Sequence, residues 1–362
     1  MSNPHPIDRL APSYAAARAA FLDAADAAGA SVESFPHPLA GREGEELAVD
    51  TAVLGDVDAD AALVIVSGTH GVEGYAGSAL QRRLLVERGA ELASTGLRVV
   101  FVHALNPYGF SWVRRVNEDN VDLNRNFIDW SSAAPTNDGY GEMADLLVPA
   151  QWDEATQQSS TLELLGFVER LGMEQMQAAV SSGQYDHPTG VFHGGSGPVW
   201  SHRWLRDHAA ALVGGAARIG IIDLHTGLGP WSHGELISHA GVGDPGYERG
   251  TAWWGEVMSM RDGESVSADL SGDWLGAIDE LLAGRDVTSA ALEFGTVDPI
   301  TVLQSLRADA WLHAHGDATS AEGDEIRRQV WNAFLDDDPE WLAALVARCD
   351  EVVTGAVSGL AT

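Results

Sequence analysis

The sequence predicts an α/β protein, a three-layer sandwich in which helices cover both faces of a central mixed, mostly parallel sheet. Short apolar runs of strand length recur along the chain at residues 61–66, 219–222 and 287–291. Segments with apolar residues at helical spacing lie between them, as at 77–88. Strands that alternate with helices usually pair in parallel through crossover connections, so this order favours one layered α/β arrangement.

The first third of the chain predicts a helix and strand that lead into a strand, helix, strand unit. The predicted elements are a helix at 13–29, a strand at 46–54, a strand at 61–66, a helix at 77–88 and a strand at 97–103. Pro107 and Gly109 break regular structure, so residues 106–130 are expected to form a long ordered loop. Long loops in compact domains are often functional.

The remainder of the chain predicts an irregular middle followed by a return to alternating elements. We interpret residues 131–201, rich in glycine, proline and aromatic residues at their end, as an insertion over the site within a single catalytic domain, 1–362. Its predicted contents are irregular chain at 131–149, an amphipathic helix at 161–181 and a loop at 182–201. Beyond it we predict strands at 219–222, 234–240 and 287–293, helices at 247–256 and 273–283, and helices to the C-terminus.

Composition excludes several classes of partner. The formal net charge is -32 and the chain has no lysine, so binding to nucleic acid or to an anionic membrane surface is not expected. No apolar stretch approaches the roughly 20 residues needed to span a bilayer. Residues 1–6 lack the features of a secretory signal, and Cys349 is the single cysteine, so we expect a cytoplasmic protein without disulfides. The oligomeric state stays open.

Three residues form a candidate metal site. His70 and Glu73 directly follow the strand at 61–66, and His225 follows the strand at 219–222. Catalytic zinc takes three nitrogen or oxygen ligands from the protein and keeps one position for water. Taken singly, each residue has a structural alternative: a core or capping histidine, or a first-turn glutamate favoured by the helix dipole. Their matching positions at strand ends favour a Zn²⁺ site.

The string Val-Asp-Leu-Asn-Arg-Asn-Phe at 121–127, together with the His70 to Glu73 segment, resembles the zinc carboxypeptidase family. The succinylglutamate desuccinylase and aspartoacylase relatives share this pattern. An uncharacterised bacterial branch of the superfamily is similar over 106–127, the Asp-Leu-His-Thr-Gly string and the Glu-Phe-Gly string. The resemblance spans roughly residues 61–296 and implies a zinc-carboxypeptidase-like fold.

The resemblance also implies how the metal is held. In the family's pattern the first histidine, the glutamate and the later histidine bind zinc, which corresponds here to His70, Glu73 and His225. Asp122 resembles the family carboxylate that orients the first zinc histidine, a role that fixes the tautomer. An Asx-turn is the structural alternative for this aspartate.

The remaining family roles concern the substrate and the reaction. Asn124 and Arg125 match the family pair that binds the free carboxylate of the substrate. A guanidinium group suits this role because it can form two hydrogen bonds to one carboxylate. Arg115 resembles the arginine that stabilises the oxyanion, and the neighbouring Arg114 is an alternative for this role. Glu293 aligns with the catalytic glutamate, which takes a proton from water and passes it to the leaving nitrogen. Surface salt bridges and a buried ion pair are the structural alternatives.

The sequence therefore predicts a zinc metallohydrolase that is metallocarboxypeptidase-like, acting on a small molecule or short peptide with a free carboxylate. The alternative substrate is an N-acyl amino acid, as in the succinylglutamate desuccinylase and aspartoacylase type. A non-catalytic zinc or carboxylate-binding protein is a second class, against which Glu293 argues because a binding protein needs no base. The glycine run at 68–77 fits neither nucleotide-binding fingerprint.

Overall fold

The computed structural model describes residues 7, 9–263, 265, 270 and 272–362, with the backbone alone at residues 173 and 174. The expectation drawn from residues 1–6 lies outside the described residues. The described helices are α1 Tyr14–Ala27, α2 Gly74–Ala93, α3 Pro107–Trp112, α4 Asp138–Gly141, α5 Ala144–Leu147, α6 Glu154–Leu171, α7 Met173–Ser181, α8 Trp200–Val213, α9 Pro245–Trp254, α10 Ile278–Leu281, α11 Pro299–His315, α12 Ala321–Phe334 and α13 Pro339–Leu360. Within this part of the chain, none of them is both long and apolar enough to cross a membrane.

One mixed sheet forms the centre of the described structure. Its strands are β1 Ser31–Ala40, β2 Glu46–Gly55, β3 Ala61–Ser67, β4 Arg98–His103, β5 Arg218–Trp231, β6 Gly234–Ser238, β7 Met258–Ser259 and β8 Asp286–Gly295. They lie in the order β1, β2, β4, β3, β5, β8, β6, β7. The central pairs β4 with β3, β3 with β5 and β5 with β8 are parallel, whereas β1, β2 and β6 pair antiparallel with their inner neighbours. The predicted mixed, mostly parallel sheet is confirmed.

Helices cover the sheet on two faces. Successive side chains of a strand point to opposite faces, and all of β3 is buried, so both of its faces are packed. Leu63 and Ile65 belong to one apolar cluster, which includes residues of α1, α2, α12 and α13. Val64 and Val66 belong to the other, which includes residues of α8. The predicted three-layer sandwich follows from this alternation.

Three of the predicted elements were wrong in their details. The expected loop 106–130 begins with α3, which Asn106 caps by accepting a hydrogen bond from the Gly109 N–H at 2.9 Å. The expected single helix at 161–181 is two helices that break at Gly172. The expected helix at 273–283 contains one short helical segment, α10. The strand β1 and the helix α8 had not been predicted.

Candidate metal centre and active site

His70, Glu73 and His225 come together at the carboxyl edge of the sheet. His70 and Glu73 lie in the turn between β3 and α2, and His225 lies in β5, the neighbour of β3. The Nδ1 atoms of the two histidines are 3.2 Å apart. Glu73 Oε1 is 3.0 Å from His70 Nδ1, and Glu73 Oε2 is 2.9 Å from His225 Nδ1. All three side chains are buried, and their donor atoms converge on one point.

Two glycines allow the turn that carries His70 and Glu73. Gly68 has a φ of +66°, in the left-handed region that glycine adopts at little cost. A Cβ at Gly71 would lie 2.0 Å from the backbone carbon of Gly109. The turn therefore packs directly against the backbone of α3, and side chains at either glycine would displace the two candidate ligands.

Each histidine is held on its outer nitrogen by a carboxylate. His70 Nε2 is 3.2 Å from Asp122 Oδ1, and His225 Nε2 is 2.7 Å from Asp223 Oδ2. Asp223 also accepts hydrogen bonds from Thr69 Oγ1 at 2.9 Å and from the Trp274 indole N–H at 2.7 Å. Asp122 thus lies where the family pattern implies. Asp223 was not among the predicted site residues, although an aspartate two residues before a histidine in one strand shares its face.

The donor set fits a divalent cation. A histidine that donates its Nε2 proton to a carboxylate presents an unprotonated Nδ1, so the two Nδ1 lone pairs and the Glu73 carboxylate face one another. Three acceptors at 2.9–3.2 Å repel one another unless a proton or a metal cation lies among them. Zinc, with bonds of roughly 2.0–2.1 Å, holds tetrahedral donors roughly 3.3 Å apart, which is close to these separations.

The electrostatics of the buried cluster keep its carboxylates ionised. Burial raises the pKa of Glu73, but the neighbouring His70 and His225 outweigh this effect and leave that pKa below its ordinary value. Burial likewise opposes ionisation of Asp122, whereas Arg115, Arg125 and His70 hold its pKa well below the usual range. Burial lowers the pKa of His225, but Asp223 and Glu73 outweigh this effect and raise that pKa well above its ordinary value. The site therefore holds deprotonated carboxylates, and a metal bound there would displace a proton from His225.

Of the two adjacent arginines, Arg115 lies at the site. Its Nη1 is 3.1 Å from Glu73 Oε1 and its Nε is 3.0 Å from Asp122 Oδ2. Arg114 points elsewhere, because its Nε donates to Asp309 Oδ2 at 2.9 Å and that ion pair is buried. Arg115 lines the cavity described below, and two of its five N–H groups hold carboxylates of the cluster.

Asn124 and Arg125 line the same cavity as the metal-donor cluster. The guanidinium of Arg125 is buried and donates from Nε and Nη2 to the Ser181 carbonyl at 3.1 and 2.6 Å, and from Nη1 to the Asn124 carbonyl at 2.9 Å. Three of its five donors are thus occupied by backbone, which fixes the plane of the fork. The ring of Phe192 lies 5.4 Å from the guanidinium carbon.

Glu293 lies beside the cluster on the next strand. It occupies β8 directly opposite His225 of β5, and its Oε1 accepts a hydrogen bond from the Leu228 N–H at 3.0 Å. Burial, followed by the negative charge of Glu73, raises the pKa of Glu293 to about 8. A carboxyl group whose pKa lies near neutrality can both accept and return a proton.

A cavity of about 250 Å³ connects these residues. His70, His225, Arg115, Arg125 and Glu293 all contribute to its lining. Most of the other lining side chains are apolar and come from α6, α7, α11 and the strands β6 and β8. Residues of α6 and α7, within the segment 131–201, therefore line the cavity.

The fold and the site define an α/β protein with a candidate metal centre of two histidines and one glutamate, set beside a buried carboxyl group in a cavity. The chain belongs to the family described as Protein of unknown function (DUF2817), whose sequence profile matches residues 10–348. This match agrees with the resemblance to an uncharacterised branch that the motifs indicated. No curated protein matches the sequence.

Solved structures similar to the chain include proteins of both groups that the motifs resemble. Carboxypeptidase A from Helicoverpa armigera is 15% identical, with a TM-score of 0.45 over 90% of this chain and 75% of that one. An aspartoacylase family protein from Mesorhizobium loti is 17% identical, with a TM-score of 0.37 over 79% and 67%. A metallo-carboxypeptidase from Burkholderia cenocepacia is 13% identical, with a TM-score of 0.38 over 92% and 68%.

Proposed function

We propose that the protein is a zinc-dependent hydrolase that cleaves an amide or peptide bond next to a free carboxylate. The observation that carries this proposal is the placement of Glu293 in the same cavity as the cluster of His70, Glu73 and His225. Structural zinc sites are closed by four protein ligands, whereas catalytic sites use three. Within the described residues the cluster offers three donors, which favours the catalytic class.

The metal would be held by His70 Nδ1, His225 Nδ1 and the Glu73 carboxylate, the atoms that converge in the structure. When bound there, zinc supplies Lewis-acid chemistry, which polarises a carbonyl group and lowers the pKa of water. Asp122 and Asp223 fix the tautomer of the two histidines and keep both Nδ1 lone pairs directed inward.

Glu293 is proposed to carry the proton through the reaction. It takes a proton from the attacking water, the water oxygen bonds to the carbonyl carbon, and the carbon–nitrogen bond then breaks. Glu293 returns the proton to the departing nitrogen, so that the products are a carboxylic acid and an amine. Its position in the cavity beside the cluster, with Oε1 oriented by the Leu228 N–H, suits both halves of this exchange.

Arg115 is proposed to stabilise the negative charge that develops on the carbonyl oxygen. It lines the cavity, and its contacts with Glu73 and Asp122 hold its guanidinium rigidly beside the cluster. A donor that is already oriented stabilises a developing charge without the cost of reorganisation.

Asn124 and Arg125 are proposed to hold the substrate's free carboxylate. Arg125 keeps two N–H groups beyond those bound to backbone, and burial strengthens a charge-assisted hydrogen bond there. Both the last peptide bond of a short peptide and an N-acyl amino acid carry such a carboxylate next to the amide. The two substrate types differ in the acyl half and share the mechanism.

A hydrolysis panel tests the proposal. Short dipeptides and N-acyl amino acids, each with a free and an amidated carboxylate, are incubated with the zinc-supplemented protein and the released amine is quantified. We expect cleavage of the free acids alone, with kcat reduced about 10²–10⁴-fold in Glu293→Gln. Glu322→Gln, at an exposed glutamate of α12, is the matched control and is expected to match the parent. Equal cleavage of the amidated substrates, or full activity in Glu293→Gln, would contradict the proposal.

A further inference from the structure

The cavity at the candidate active site has an apolar wall built from two helices. Leu164, Leu165 and Val168 of α6 and Ile300 and Leu303 of α11 line it together. Their spacing of three and four residues places the side chains of each helix on one face. Both helices thus turn an apolar face towards the cavity that contains the metal-donor cluster.

Charged side chains are confined to another part of the cavity. Among the described residues that line it, the aspartate, glutamate and arginine side chains are Arg115, Arg125, Asp273 and Glu293. None of them comes from α6, α7 or α11. The wall therefore offers no charge to compensate a charged substrate group. It is suited to an apolar group.

The two helices are fixed to each other. The buried Arg307 of α11 donates from Nη2 to Ser160 Oγ of α6 at 2.8 Å, and from Nε to the Leu147 carbonyl at 2.9 Å. Because the guanidinium is buried and its donors are directed to both α6 and the segment before it, the wall has a defined shape. Preformed apolar pockets of this kind are typical of ligand sites.

Two residues of the wall are unusually exposed for their type. Leu165 is 48% exposed and Ile300 is 57% exposed, and both line the cavity. Single exposed apolar residues need no explanation, but two that border one cavity next to a candidate active site indicate a surface that a ligand covers. Leu162, on the same helix, is 68% exposed and does not line the cavity.

The chain order relates the wall to the proposed scissile bond. The metal-donor cluster lies at the neighbouring strands β3 and β5. These two strands are flanked by β4 on one side and by β8 on the other. Asn124 and Arg125 follow β4, whereas α11 follows β8, the strand of Glu293. The helix α11 begins four residues after the end of β8, so its lining residues lie on the Glu293 side of the cavity, whereas Arg125 is held against Ser181 at the end of α7. In the proposal, the carboxylate end of the substrate lies at Arg125 and the other half extends towards α11.

We propose that the α6 and α11 wall binds an apolar acyl group larger than acetyl, so that the preferred substrates are amides with an aliphatic or aromatic acyl half. This inference rests on the proposed hydrolase function and names its substrate class. A fatty acyl chain and the apolar side chain of a penultimate residue in a peptide share this chemistry.

Two substrate series test the wall. One is a set of N-acyl derivatives of a single amino acid from acetyl to decanoyl, and the other is a set of dipeptides with alanine, valine, leucine or phenylalanine in the first position. We expect kcat/KM to rise about fourfold per methylene added to the acyl half, until the chain outgrows the wall. The series with the steeper rise identifies the source of the acyl group.

Matched variants assign the effect to the wall. The double variant Leu165→Ser with Ile300→Ser changes two exposed side chains and is expected to fold, and to lose about tenfold more in kcat/KM on the octanoyl substrate than on the acetyl substrate. Leu162→Ser, on the same helix, is the control and is expected to keep the chain-length dependence.

A binding series separates failure of the wall from failure of the hydrolase. N-alkylsulfonyl amino acids resist hydrolysis, and their affinity is measured by calorimetry on the same variants. Affinity that rises with alkyl length in the parent and flattens in the double variant supports the wall even if no substrate is turned over, in which case the proposed function alone fails. An active enzyme with no chain-length dependence, or an equal loss in Leu162→Ser, overturns the wall and leaves the proposed function standing. If the parent shows no turnover and no length-dependent binding, both the wall and the proposed function are overturned.

Discussion

Each histidine of the cluster donates outward to a carboxylate and presents its other nitrogen inward. Asp122 comes from the loop after β4 and Asp223 from β5, so the two histidines are oriented by different parts of the chain. The carboxylate of Asp223 is also fixed by Thr69 and Trp274, which leaves it little freedom. Hydrogen bonds of this kind raise the basicity of a ligand imidazole and hold its ring in place.

Replacing Asp223 by asparagine is expected to weaken zinc binding about 10–100-fold, because an amide orients the imidazole of His225 less strongly than a carboxylate does. The affinity is measured by competition with a chromophoric chelator. Asp122→Asn should act in the same direction through His70. Asp286→Asn, at an exposed aspartate that begins β8, is the control and should leave the affinity unchanged. An unaltered affinity in Asp223→Asn would show that the carboxylate does not act on the metal site.

The residues of the metal-donor cluster and Glu293 were easier to identify from the sequence than the contacts that surround them. His70, His225 and Glu293 could be picked out because each follows or ends a buried strand, and parallel strands end at a common edge. The contact between the Arg125 guanidinium and the Ser181 carbonyl could not be predicted, since it joins residues 56 positions apart through a backbone group that has no sequence signature. The roles assigned to these residues in binding and catalysis remain predictions.

The break between α6 and α7 shapes one side of the cavity. Gly172 ends α6 with a φ of +86° and a ψ of 157°, a conformation that is essentially restricted to glycine. Both α6 and α7 contribute lining residues, among them Leu165 and Val180. A continuous helix over the same residues would carry one of these two groups away from the cavity.

Replacing Gly172 by alanine is expected to lower the free energy of unfolding by about 1–3 kcal/mol, because alanine is strained in this backbone conformation. A Cβ would have nothing within 4 Å, so crowding does not contribute. Gly166→Ala is the matched control: its Cβ would also meet nothing, but it lies inside α6, where alanine is the better helix former by about 1 kcal/mol. Urea unfolding should therefore give changes of opposite sign, and changes of the same sign would contradict this account of the break.

The elements that were predicted well are those whose burial decides their pattern. The strands β3 and β8 are mostly buried, and their sequences are largely apolar. By contrast β1 is almost entirely exposed and contains two prolines, so its sequence carries neither alternation nor strand composition. The chain at 273–277 has a helical pattern but turns over the site, where the Trp274 indole binds Asp223, and tertiary contact outweighs local propensity there.

At the scale of the whole molecule, the sheet order brings the site together. The strands β3, β5 and β8 are consecutive neighbours. His70 and Glu73 follow β3, His225 lies within β5, and Glu293 lies near the end of β8. The order of β3, β5 and β8 places the metal-donor cluster and Glu293 side by side along the sheet edge. A mixed sheet covered on both faces holds this order rigidly.

Acid is expected to destabilise the whole fold partly through His103. This side chain is fully buried against Phe21, its Nε2 is 2.9 Å from Ser78 Oγ, and burial lowers its pKa to about 4. The unfolded chain binds the proton with an ordinary pKa of about 6.5. A lowered pKa of a histidine in the folded state means that its stabilisation is complete above about pH 6.5 and is lost as the pH falls towards 4.

The phenylalanine variant of His103 cannot be protonated, so its free energy of unfolding should fall less between pH 7 and pH 5 than that of the parent, by about 2 kcal/mol. Urea unfolding at several pH values measures the difference. His233→Phe, at an exposed histidine, is the control and should follow the pH dependence of the parent. Parallel curves for the parent and His103→Phe would show that His103 does not contribute to acid sensitivity.

The most direct test of the proposed metal centre is the metal content of the purified protein by elemental analysis, compared across the parent, His70→Ala and Glu293→Gln. The account predicts about one zinc per chain in the parent, loss of the metal in His70→Ala, and retention in Glu293→Gln, because Glu293 lies beside the cluster and not among its donors. A parent protein that contains no metal and takes up none when zinc is added would contradict the account.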